Sequence, residues 1–177
     1  LVVDPFCGGG TTLDVARDEC NQIYNSLRAG SLKSAQAAGH LMREQHSGCI
    51  INIASITSFV DLVEVAAYAS AKSAVLGLTR TLANEWAQYG IRTNAIAPGF
   101  IPTDLNRHLI ERTERGRRIM EHTPMARFGT ADEVAPAAVY LASPAGAFVN
   151  GITITVDGGY LACGVGYAEA PWPVDKK

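Results

Sequence analysis

No stretch of the chain approaches the roughly 18 uninterrupted apolar residues that a membrane-spanning helix requires. Charge of one sign is also missing. Fifteen Lys and Arg stand against 17 Asp and Glu, a net charge of −2. So weak a field argues against a nucleic-acid binder that works through bulk electrostatics. Cysteine is sparse and scattered. Cys7, Cys20, Cys49 and Cys163 form no CxxC and no Cys/His cluster at zinc spacing. That argues against a disulfide scaffold or a structural metal and fits a reducing compartment, the cytoplasm. Leu1 is followed by no basic segment and cleavage site, so no secretory signal is expected. The missing initiator Met points to a fragment or a processed chain. What is present is 177 residues, 47% apolar and 18% charged, with mean hydropathy +0.08. This is too apolar for disorder and long enough for one hydrophobic core.

Along the chain, short apolar runs alternate with longer helical patterns. Residues 1–3 read as a buried strand ended by Asp4-Pro5 and the glycines 8–10. Residues 13–29 are mixed and helical in part. A helical pattern from Ser31 to Gln45 stops at Ser47-Gly48. Cys49–Ile53 is a β-branched run too short for a helix. Between Ala66 and Tyr89, Val75, Leu78, Leu82 and Trp86 recur at helical spacing, and Gly90 supplies the stop. Ile91–Ala97 is strand-like and broken by Pro98-Gly99; 103–120 is charged and helical. A helix over 131–142 has Thr130 and Glu133 at capping-box spacing. A last strand, 151–156, turns at Asp157-Gly158-Gly159. Strands alternating with helices predict an α/β fold with a parallel sheet and crossover helices. No repeat, low-complexity segment or linker divides it. One domain over 1–166 is expected, with 1–20 of uncertain origin and a loosely held tail at 167–177.

One constellation carries chemistry. Tyr68 and Lys72 are four apart and share a helix face. Alone, the pair equally describes a Tyr covering the sheet and a Lys reaching for solvent. Ser55, thirteen residues before Tyr68, follows a buried strand at the end where open parallel sheets bind ligands. A free phenol has a pKa of about 10, too high for a base near neutrality. A neighbouring ammonium lowers it. Tyr68 is thereby assigned as general acid/base and Lys72 as its electrostatic partner.

The segments INIAS, YASAK, NAIAPGFIPTD and GITITVDGG occur in that order over residues 31–160. Together they resemble the short-chain dehydrogenase/reductases, single-domain Rossmann oxidoreductases with a Ser…Tyr-x-x-x-Lys site. The resemblance implies an NAD- or NADP-dependent hydride transfer between nicotinamide and a secondary alcohol or ketone. It implies that Ser55 orients the substrate oxygen and that Tyr68 and Lys72 also hold the nicotinamide ribose. It implies as well that Pro98, Gly99, Ile101 and Thr103 bind the cofactor, the Ile101 backbone and the Thr103 hydroxyl holding the nicotinamide carboxamide. TERGRR followed by TPMARFG is similar to the gluconate and deoxygluconate branch. A lid Arg pairing with a sugar-acid carboxylate would suit that branch; which of Arg107, Arg112, Arg115, Arg117 and Arg118 does so stays open, and a solvated helix face accounts for most of them. The family's subunit contacts imply a homo-oligomer, dimer or tetramer, through 31–45 and 66–89, where Ala69, Ser73, Ala74 and Gly77 permit close approach. No nucleic-acid or membrane partner is expected.

Two departures stand beside the resemblance. The T-G-x-x-x-G-x-G turn that receives the pyrophosphate is not found, so the expected fold is a truncated Rossmann-type sheet lacking the N-terminal dinucleotide-binding strands. DPFCGGGTT is also similar to the S-adenosylmethionine loop of amino-methyltransferases. The family's relay Asn falls near Leu27, with Asn25 two residues away. Two alternatives therefore accompany the oxidoreductase: a catalytically silent remnant that only assembles, and a fragment of a methyltransferase fusion.

Overall fold

The computed structural model describes residues 2–3 and 32–164. The expectations for the glycine loop at 8–10, the relay position Leu27, a helix in 13–29 and the tail at 167–177 lie outside the described residues.

Four strands form one sheet in sequence order, every neighbour parallel. They are β1 (Val2–Val3), β2 (Gly48–Ile53), β3 (Ile91–Pro98) and β4 (Thr153–Val156). The helices are α1 (Leu32–Glu44), α2 (Ala66–Trp86), α3 (Arg107–Ile110), α4 (Glu114–His122) and α5 (Ala131–Ala142). This is the truncated Rossmann-type sheet with crossover helices that the sequence implies. Among the described residues no helix is long and apolar enough to cross a membrane.

Both faces of the sheet are covered, and the strands' period of two divides their side chains between two cores. Ile50 and Ile91 pack with Ala35 of α1 and Leu82 of α2 on one face. Ile51 and Ile96 pack with Leu141 of α5 on the other. A third cluster joins Val75 and Leu76 of α2 to Ala95 and Ala97 at the end of β3. Helix α1 sits close on α2: a Cβ at Gly39 would fall 2.6 Å from the Trp86 ring. Asn52, fully buried in β2, donates to Thr79 Oγ1 of α2 at 2.9 Å, and Thr79 donates in turn to Val75 O. That chain satisfies polar groups between strand and helix.

The expected helix over 103–120 is instead two short helices. Arg112 takes a left-handed conformation, φ 56°, which no helix continues through. Thr113 then starts α4 afresh, its hydroxyl accepting from Gly116 N. The 131–142 helix has the expected bounds, and Glu133 reaches back to the Thr130 N–H at 2.9 Å.

Candidate active site

The carboxyl ends of β2 and β3, with the start of α2, gather the residues that the sequence singles out. On α2 the buried stripe runs through Ala71, Val75, Thr79, Leu82 and Ala83, and Lys72 falls within it near the helix N-terminus. The Lys72 side chain is therefore carried inward, and the residue is only 2% exposed. Its Nζ donates to Ile53 O at 3.0 Å, at the last residue of β2. The same Nζ lies 5.6 Å from the centre of the Tyr68 ring, one helical turn earlier. Tyr68 is half-buried. Ser55 follows two residues after Ile53 and is buried, its Oγ accepting from Thr57 N at 3.2 Å. Lys72 thus pins α2 to the end of β2 immediately before Ser55.

After β3 the chain runs Pro98–Thr103. Pro98 is the last β3 residue, paired with Val156, and Gly99 N donates to Val156 O. A Cβ on Gly99 would meet Asp157 Cα at 2.7 Å, so glycine is what lets the ends of β3 and β4 close together. Further along, the Asn106 side-chain amide docks on this loop. It accepts from Thr103 N at 2.7 Å and donates to Ile101 O at 3.0 Å. The loop therefore presents a donor and an acceptor spaced to receive a primary carboxamide.

Two hollows flank that loop. A small one of about 100 Å³ is lined by Gly99, Ile101, Asp157 and Gly158 among others. The larger, about 420 Å³, lies between Leu62–Glu64, which lead into α2, helix α4, Phe100 and Tyr160. Ser55, Tyr68 and Lys72 do not line it. Asp157 sets Tyr160 in place, its carboxylate accepting from Gly159 N and Leu161 N. The Tyr160 ring meets Phe100 edge-on at 5.3 Å and His122 at 4.5 Å. Burial, then the nearby Cys163 thiol, pushes the Tyr160 hydroxyl above its ordinary range. Arg115 and Arg118 project from α4 toward the cleft.

Sequence reasoning missed the Asn106 amide and the aromatic wall, and it left open which arginines of the charged segment line the cleft: Arg115 and Arg118 do. The charged segment itself was the signal for the last. Ion pairs hold α4 and α5 in shape. Arg117 takes both Glu114 and Glu121, and Arg127 is bidentate to Glu133. The guanidiniums of Arg117 and Arg118 hold the Glu114 carboxyl down at about 2. Arg127, with the Thr130 N–H, does the same to Glu133.

The comparisons with known proteins agree with this architecture. A family model described as enoyl-(acyl carrier protein) reductase matches residues 3–161. The chain belongs to the short-chain dehydrogenase/reductase family. The matched region begins before the DPFCGGGTT segment, and the comparisons give its likeness to a methyltransferase loop no support. The chain is 45% identical over 137 residues to 2-dehydro-3-deoxy-D-gluconate 5-dehydrogenase of Dickeya dadantii, covering 77% of this chain and 54% of that protein. It is 41% identical over 133 residues to galactitol 2-dehydrogenase (L-tagatose-forming) of Cereibacter sphaeroides, covering 74% and 52%. A crystal structure of a gluconate 5-dehydrogenase from Burkholderia cenocepacia J2315 in complex with NADP and tartrate superposes with TM-score 0.74 at 36% identity. That match covers 86% of this chain and 58% of that one. The chain thus spans about half the length of the curated relatives it matches.

Proposed function

We propose that this chain carries the catalytic half of an NAD(P)-dependent oxidoreductase acting on a secondary alcohol or ketone, with a sugar acid as the substrate class. The observation that carries the reading is the inward-turned Lys72, bonded to the end of β2 and lying against the Tyr68 ring. An ammonium placed there, in a low-dielectric setting, favours the phenolate of its neighbour.

The fit of a nicotinamide rests on the Pro98–Thr103 loop. Its Thr103 N–H and Ile101 carbonyl are engaged by the Asn106 carboxamide, so the carboxamide of nicotinamide, which has the same donor and acceptor, would take these two groups by displacing that of Asn106. Lys72 is the group to reach the ribose hydroxyls. When bound, the cofactor supplies the hydride acceptor for oxidation or the hydride donor for reduction. In oxidation, Tyr68 Oη takes the hydroxyl proton as the carbinol hydrogen leaves with its electron pair, and in reduction it returns the proton to the carbonyl oxygen. Ser55, buried beside the end of β2, orients that oxygen by hydrogen bonding. The names of the relatives favour sugar acids, as does the tartrate in the Burkholderia structure; the galactitol enzyme keeps neutral polyols in view.

The test is direct. Dinucleotide binding to the chain, followed by formation of reduced nicotinamide with gluconate or galactitol, supports the reading. No binding at millimolar NAD and NADP rejects it in favour of a remnant that only assembles.

A further inference from the structure

Granted the alcohol or ketone substrate proposed above, a sugar acid must still be told from a neutral polyol. That distinction needs a cation facing the cleft whose present partner can be exchanged. Arg115 lines the 420 Å³ cleft and links α4 to the segment before α2. Its Nη1 is 3.5 Å from Glu64 Oε2 and its Nη2 is 3.3 Å from Val63 O. Charge-assisted bonds of this kind prefer about 2.7–2.9 Å. The other ion-paired arginines meet that standard: Arg107 reaches Glu111 at 2.9 Å, and Arg127 reaches Glu133 at 2.6 Å. Arg118, also in the cleft, spends its Nε on Glu114 at 3.0 Å, a carboxylate that Arg117 shares. Arg115 alone among these five holds its acid at the limit of contact.

We propose that Arg115 is the carboxylate-recognising residue of this cleft and that Glu64 is the internal carboxylate it gives up for that of the substrate. The Arg115 side chain is 37% exposed, half in the cleft wall, whereas that of Glu64 is 73% exposed and loses little on release to water. Two terminal nitrogens that now serve two weak partners can take one carboxylate bidentately, with a gain in both geometry and charge. Phe100 and Tyr160 supply aromatic lining to the same cleft. The cleft volume is within the range of small-molecule sites. Glu64 lies two residues before the start of α2, the helix that carries Tyr68.

The proposal rests on the oxidoreductase reading for its substrate, and binding rather than turnover tests it. Calorimetry with D-gluconate and with galactitol, NAD(P) present, compares the native chain with Arg115→Gln and Glu64→Gln. Arg115→Gln is expected to weaken gluconate by roughly tenfold or more and galactitol by less than about twofold. Glu64→Gln removes the competitor and is expected to tighten gluconate severalfold, an improvement that damage to the fold would not give. Equal loss of both ligands in Arg115→Gln, weaker gluconate binding in Glu64→Gln, or no gluconate binding by the native chain would each overturn it. Formation of reduced nicotinamide is followed separately. Arg115-dependent gluconate binding without turnover leaves the proposal standing and removes the oxidoreductase reading.

Discussion

At the scale of single residues, two substitutions separate chemistry from folding. Tyr68→Phe keeps the ring against Lys72 and removes the proton acceptor. Turnover is expected to fall by about 10²–10⁴-fold, the range of general acid–base catalysis, and the urea midpoint measured beside it separates that loss from any loss of stability. Lys72→Met is expected to lower turnover and move the pH profile of the residual rate toward alkali, because the phenol loses its neighbouring positive charge. An unshifted profile would assign Lys72 a packing role. The Tyr68 and Lys72 pairing was legible in the sequence because spacing on one helix turn dictates a shared face. The burial of Lys72 was not, since a Lys in an apolar stripe can equally snorkel outward. Arg115 was hidden for a different reason: five arginines within twelve residues look alike until the fold decides which of them line the cleft.

At the scale of elements, α5 was readable to its ends because Thr130 and Glu133 write a cap into the local sequence. The break between α3 and α4 was not, because Arg112 adopts φ 56° without being glycine. The ion pairs that hold these helices carry a pH dependence. Glu133 and Glu114 titrate near 2 in the folded chain and near 4.5 when unpaired. Their support is complete above about 4.5 and is lost as pH falls toward 2. Amide protection factors in the first turns of α4 and α5 are expected to fall through that window, and Arg127→Gln should bring the onset for α5 to higher pH. Packing of α1 on α2 gives a second check. Gly39→Ala places a methyl 2.6 Å from the Trp86 ring and is expected to cost about 1–3 kcal/mol in chemical denaturation.

At the scale of the whole molecule, the parallel sheet with its crossover helices was foreseeable from alternating strands and helices, whereas assembly leaves a fainter trace. The outer surface of α2 stays small: Ser73 and Ala74 are exposed, and a Cβ at Gly77 would meet nothing within 4 Å. Apolar side chains also stand in the open at the opposite edge, Val139 and Tyr140 on α5 and the fully exposed Phe148 before β4. An oligomer is the expected state, and a monodisperse monomer in light scattering would refute it. The same topology has a kinetic consequence. Parallel neighbours cannot be joined by hairpins, and the register sets Ile50 opposite Thr93 and Ala95 opposite Thr153. Each closure must be won across a long stretch of chain before any contact rewards it, so refolding should be slow, with the shorter β2–α2–β3 excursion zipping first and β4 docking last. Until that final strand arrives, the flank of β3 is a bare template, and a newly made chain is at its most vulnerable to wrong partners in that interval.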